Sequence, residues 1–204
     1  MHITLNNTGK RFNLEWIFRH VDFEFSSGKS YAIVGANGSG KSTLLQVIAG
    51  ALMHSEGNIV YSDDHQKPIA NDLIFEQMSI AAPYLELIEE MTATEFLSFH
   101  QTFKTFIKPI PEILKEIGLA EAANKQIRYF SSGMKQRLKL GQAFFSNTAI
   151  LLLDEPTTNL DGVGIQLYLR LIKDYAEKRL LIICSNDEAE YGFCNEKIIV
   201  EKYK

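Results

Sequence analysis

The sequence predicts an α/β fold with a mostly parallel sheet, a small antiparallel β layer and an inserted helical subdomain. Three observations carry that expectation. Short apolar runs alternate with helix-length segments, the pattern of strands joined by crossover helices. The segment Ile3 to Ser27 instead alternates apolar and polar residues around turns. The stretch from about Tyr84 to Ala122 carries a helical stripe of apolar residues.

Taken in order, Asn7-Thr8-Gly9 and Ser27-Gly28 punctuate the first segment as turns of a small antiparallel layer. Tyr31-Ala32-Ile33-Val34 reads as a buried strand, and Lys41–Ala51 as the helix after it. Gly57 precedes a strand over Asn58-Ile59-Val60. Phe96, Phe99, Phe103 and Phe106 read as the packing face of the helical insertion. Pro109 and Pro111 divide it, and Ile113, Leu114 and Ile117 begin a second stripe. Helices are expected over Ser132–Phe145 and Val163–Lys178. Ala149–Leu153 and Leu180–Cys184 are apolar throughout, as strands covered on both faces are, and Lys197–Val200 supplies another strand. The expected organisation is one domain over 1–204, with a core of about 1–83 and 147–204 and a helical subdomain of about 84–146.

Composition narrows the classes. With 204 residues, 46% hydrophobic and 23% charged, the chain has enough apolar content to fold, which excludes disorder. The net charge of −4 argues against nucleic acid as a partner. No apolar run approaches the ~20 residues of a membrane span. The N-terminus, Met1 to Asn7, has no signal-peptide pattern. Cys184 and Cys194 have no metal or redox spacing and read as small buried hydrophobes in a reducing compartment. A cytoplasmic protein is expected.

The chemistry begins at Gly35-Ala36-Asn37-Gly38-Ser39-Gly40-Lys41-Ser42-Thr43, which fits G-x-x-x-x-G-K-[ST] between an apolar strand and a helix. The glycines let the backbone curl so that its N–H groups point at phosphate oxygens, and the helix adds the positive end of its dipole. Lys41 is assigned to the β- and γ-phosphates, the Ser42 hydroxyl to Mg²⁺ and Thr43 to the α-phosphate region. This predicts a P-loop NTPase fold. The apolar strand Leu151-Leu152-Leu153 then delivers Asp154 and Glu155 at its C-terminal edge, where ligands collect in open α/β sheets. Asp154 there can hold Mg²⁺ through its water shell. Glu155 is placed to polarise a water for in-line attack on the γ-phosphate.

Upstream of the acidic pair stands Phe130-Ser131-Ser132-Gly133-Met134-Lys135-Gln136-Arg137, and downstream Thr157-Thr158-Asn159-Leu160-Asp161. Together with the loop and the acidic strand, the chain resembles the nucleotide-binding domain of an ATP-binding cassette (ABC) transporter over almost its whole length. Ser131, Gly133 and Met134 match the second, fourth and fifth positions of that family's L-S-G-G-Q signature, while Phe130 and Ser132 depart from it. The resemblance implies that Ser131 and Gly133 face ATP held by another subunit, in a head-to-tail homodimer or heterodimer with a second cassette. It implies Asp161 at the dimer seam and Phe12 as the aromatic residue stacking on adenine, with Trp16 as the alternative. It also implies ATP and Mg²⁺ as cofactors. The remaining partner would be a separate transmembrane permease that holds the chain at the inner face of the cell membrane and is reached through the helical insertion and the Ala82–Glu90 loop.

Two family residues are missing. Asn186 stands where a histidine contacts the γ-phosphate; its amide can donate a hydrogen bond but cannot carry a proton. Pro83 stands where a glutamine contacts magnesium and water, and Glu86 or a water is the candidate replacement. Losing one preorganised donor costs about 10²–10³ in rate, so slow hydrolysis is expected. Two functions fit: an ATP-hydrolysing subunit that powers a permease, or a nucleotide-gated dimerising module of the same family with little turnover. A GTPase is disfavoured, since Asn124-Lys125-Gln126-Ile127 lacks the guanine-reading Asp. The chain ending at Lys204 predicts no room for a regulatory domain.

Overall fold

The computed structural model describes residues 1–204. Strands β1 (His2–Phe12), β2 (Glu15–Ser26), β4 (Glu56–Ser62) and β5 (Pro68–Ile69) form an antiparallel sheet in the order β2-β1-β4-β5. Strands β3 (Ser30–Val34), β6 (Met78–Ala81), β7 (Ile150–Asp154), β8 (Leu180–Cys184) and β9 (Glu196–Ile199) form a parallel sheet in the order β6-β7-β8-β3-β9. The helices are α1 (Lys41–Ile48), α2 (Ala93–Gln101), α3 (Ile110–Glu116), α4 (Ser132–Phe145), α5 (Gly162–Tyr175) and α6 (Glu188–Tyr191).

The parallel sheet separates two cores, and the pleat explains why β7 and β8 are apolar throughout. Ile150, Leu152, Leu180, Ile182 and Cys184 point to one side, with α1 and the antiparallel sheet. Leu151, Leu153, Leu181 and Ile183 point to the other, with α2, α3, α4 and α5. The helical stretch therefore shares its core with the sheet. Gly57 lies where only glycine fits: its φ is +79°, and a Cβ would sit 2.2 Å from the Asn7 carbonyl oxygen.

Caps define the helix starts. Thr92 and Glu95 form a reciprocal capping box on α2, Ser131 accepts from the Met134 amide on α4, and Asp161 accepts from the Gly164 amide on α5. The expected stripe over 84–122 needs correcting. Residues 84–92 are not helical, and α2 ends at Gln101. Phe96 is buried and Phe106 packs against the second core, but Phe99 and Phe103 are 44% and 65% exposed and meet edge to face. Cys194 is half-buried, unlike the fully enclosed Cys184. The last strand stops at Ile199, and Val200–Tyr203 turn as a 3₁₀ helix. No helix is long and apolar enough to cross a membrane.

Candidate active site

The order β7-β8-β3 brings three strand ends together, so the segments after them meet at one edge. The loop after β3 curls tightly into α1. Gly40 has φ +106°, and a Cβ there would lie 2.4 Å from Ile17 Cγ2 on β2. Lys41 is buried and folds back, its Nζ donating to the Gly35 carbonyl at 2.9 Å and the Ala36 carbonyl at 3.1 Å. An ammonium has three donors, so one N–H remains for a phosphate oxygen. Ile17, Asn37, Gly38, Gly40, Lys41, Ser42, Thr43 and Glu155 line a cavity of about 240 Å³.

Asp154 ends β7 with 1% exposure, and neither carboxylate oxygen has a hydrogen-bond partner. Burial is the main cause that pushes its pKa up to about 6; the Ser42 hydroxyl opposes this from beyond hydrogen-bond geometry. An orphaned buried carboxylate beside a hydroxyl is a hard-oxygen donor set, so Asp154 and Ser42 fit Mg²⁺. Ser39 Oγ, in the loop itself, is a third buried oxygen without a partner. Glu155 has φ +42°, a left-handed conformation costly for a residue with a side chain. Its amide donates to the Cys184 carbonyl at 2.9 Å, which fixes the turn against β8.

Asn186 is exposed, and its Nδ2 donates to Asn37 Oδ1 at 3.0 Å, so the segment after β8 touches the loop after β3. Ser131 and Gly133 do not line the cavity. Their helix instead braces the acidic turn: Gln136 Nε2 donates to the Pro156 carbonyl at 2.8 Å, and a Cβ on Gly133 would come within 3.0 Å of the Asn159 carbonyl. Asp161 is exposed and caps α5.

Strand parity separates the two aromatic candidates. Phe12 pairs with Glu15 and Arg11 with Trp16, so Phe12 shares a face with Glu15, while the register shift between Lys10 and Arg11 leaves Ile17 unpaired in a bulge of β2. Trp16 points the other way, with the guanidinium groups of Arg19 and Arg11 at 4.1 and 5.5 Å from its ring. Phe12 is 47% exposed, with Lys10 at 4.9 Å over its ring.

Several residues at the site escape sequence reasoning. Glu201 Oε1 accepts from the Ala36 amide at 2.6 Å. Tyr84 has its phenol pushed well above the ordinary range, by burial and then by the Asp154 charge. Glu86, the candidate replacement at Pro83, lines a separate cavity with Pro83, Glu89, Lys135 and Lys139. Glu190 holds Thr157.

A family model described as "ABC transporter" matches residues 18–158. The chain belongs to the ABC transporter family. It is an ATP-binding subunit of such a transporter, of the kind that powers a separate permease. The lantibiotic transport ATP-binding protein SrtF of Streptococcus pyogenes is 29% identical over 216 residues, covering 98% of this chain and 90% of that protein. The putative hemin import ATP-binding protein HrtA of Staphylococcus aureus is 29% identical over 215 residues, covering 98% and 95%. A putative ABC transporter ATP-binding protein from Pyrococcus furiosus superposes with a TM-score of 0.82 at 20% identity over the whole of both chains. A bacterial ABC transporter cassette solved as a dimer superposes with a TM-score of 0.80 at 23% identity, covering 97% of this chain and 93% of that one. These relatives favour the transport subunit over the low-turnover binding module.

Proposed function

We propose that this ABC subunit hydrolyses MgATP at an interface between two cassettes and passes the resulting motion to its permease at the inner face of the cell membrane. The observation that carries the reading is the orphaned, buried Asp154 carboxylate beside Ser42, adjoining the cavity that Lys41 and Glu155 share. Asp154 and Ser42 would hold Mg²⁺, which supplies neutralisation of the triphosphate charge. The loop amides from Gly38 to Thr43 and the α1 dipole receive phosphate oxygens, and Lys41 adds its free N–H. Glu155 orients the attacking water and accepts its proton. Asn186 donates an amide hydrogen bond to the γ-phosphate.

In this reading Ser131 and Gly133 close on ATP held by the other subunit, whether an identical chain or a second cassette, and Asp161 lies at that seam. Phe12 stacks on adenine, supported by its exposed ring and by the two guanidinium groups that already occupy Trp16. The 84–146 region acts as the helical subdomain that meets the permease. Turnover is slow, because Asn186 cannot carry a proton and no glutamine stands at Pro83. The test is Glu155→Gln. It is expected to bind MgATP, lose turnover and trap an ATP-bound dimer in size-exclusion chromatography. Turnover at the wild-type rate would remove Glu155 from its role.

A further inference from the structure

Glu190 is a carboxylate with 4% exposure on α6, four residues after Asn186. A buried carboxylate is costly unless its oxygens are satisfied. Here the satisfaction comes from Thr157, two residues after Glu155, rather than from a cation. The Thr157 amide donates to Glu190 Oε1 at 2.7 Å, and the Thr157 hydroxyl donates to the same oxygen. The backbone of Glu190 is held as well: the buried Tyr168 hydroxyl on α5 donates to its carbonyl at 2.7 Å. Glu190 thus joins the two segments that flank the cavity. One carries Glu155, whose amide is already tied to Cys184. The other carries Asn186, which reaches back to Asn37.

We propose that Glu190 is a positioning residue, locking the turn behind Glu155 to the helix behind Asn186 so that both groups meet one γ-phosphate together. The turn from Thr157 also leads to Asp161, so the lock ties the seam of the cassette pair to the hydrolytic groups. The inference rests on the ATPase reading above. It places no new group on the phosphate. Its effect is on rate, because the groups given to ground-state binding, the loop after β3, Phe12 and Asp154, make no hydrogen bond to the Glu190 side chain.

The experiment measures kcat at saturating MgATP and, separately, MgATP affinity with a fluorescent nucleotide, in wild type, Glu190→Ala, Glu190→Gln, Thr157→Ala and the Glu190→Ala/Thr157→Ala pair. Loss of a partner that orients active groups from outside typically costs about 10- to 100-fold, so Glu190→Ala should lose that much kcat while affinity moves by less than about threefold. Glu190→Gln should recover most of the rate, since its amide oxygen accepts both Thr157 bonds. Thr157→Ala should lower kcat in the same direction, and the pair should be no slower than Glu190→Ala alone. Glu190→Ala turning over like an active wild type overturns this inference alone. So do fully additive losses in the pair, or a loss of affinity equal to the loss of rate. Should Glu190→Ala fail to fold, Thr157→Ala with unchanged kcat overturns it equally. A wild type that does not hydrolyse MgATP overturns the ATPase reading and this inference together.

Discussion

Replacing Asp154 by asparagine should stabilise the nucleotide-free protein at neutral pH while destroying its response to MgATP. The Asp154 carboxyl is enclosed, unpartnered and raised from 3.8 to about 6. A raised acid binds more protons folded than unfolded, so its ionisation subtracts stability as pH climbs through that window. The subtraction is absent below about pH 4 and complete above about pH 6, where it amounts to about 3 kcal/mol. Asparagine has the shape of the protonated acid and avoids this cost. For a chain of this length about 3 kcal/mol corresponds to roughly 6–12 °C in Tm. Thermal and urea unfolding of both proteins at pH 7.5 without magnesium should show Asp154→Asn as the more stable. The gap should fall to about half by pH 5. Adding MgATP should reverse the order, because only wild type gains the full binding stabilisation. Equal stability at pH 7.5, or a gap that does not shrink on acidification, would refute the reasoning, since the charge would then be already compensated in the apo protein.

Two further outcomes are expected at the site. Phe12→Ala should lose the roughly 1–3 kcal/mol of nucleotide affinity that base stacking on an aromatic ring provides, while Trp16→Ala binds as wild type does; isothermal titration with ATP separates them, and equal losses would contradict the parity of β2. Glu201→Ala frees the Ala36 amide, and is expected to weaken MgATP binding a few-fold at unchanged kcat, with Glu201→Gln restoring it; tighter binding in Glu201→Ala would instead make Glu201 a competitor for the loop.

Much of the fold was legible because its signals are local. The runs Ala149–Leu153 and Leu180–Cys184 are apolar at every position, since successive side chains enter the two different cores. The helix over Ser132–Phe145 matches α4 residue for residue, because Ser131 caps it and Phe145 ends its apolar face. The phenylalanine stripe misled for a physical reason. Within α2 the buried face runs through Ala93, Phe96 and Leu97, so Phe99 lies off it, and α2 stops at Gln101, so Phe103 lies beyond the helix altogether. The paired prolines at 109 and 111 were visible, but nothing local marks the end at Gln101.

The site divides in the same way. The loop from Gly35 to Thr43 and the pair Asp154–Glu155 are contiguous motifs, each tied to its own strand, so residue type and order were enough to assign them. Ile17, Tyr84, Glu190 and Glu201 are not contiguous with either. Glu201 meets Ala36 because β9 lies beside β3, and the 3₁₀ turn after β9 then falls against the loop after β3. Glu190 meets Thr157 because β8 lies beside β7, and the segments leaving these two strands must share one edge. The composition of these strands does not state their order: β7 and β8 read alike, and either would suit any central place in a parallel sheet. The phosphate-binding chemistry is therefore written in motifs, whereas the contacts that hold those motifs to one another arise from strand order, a property of the packed sheet.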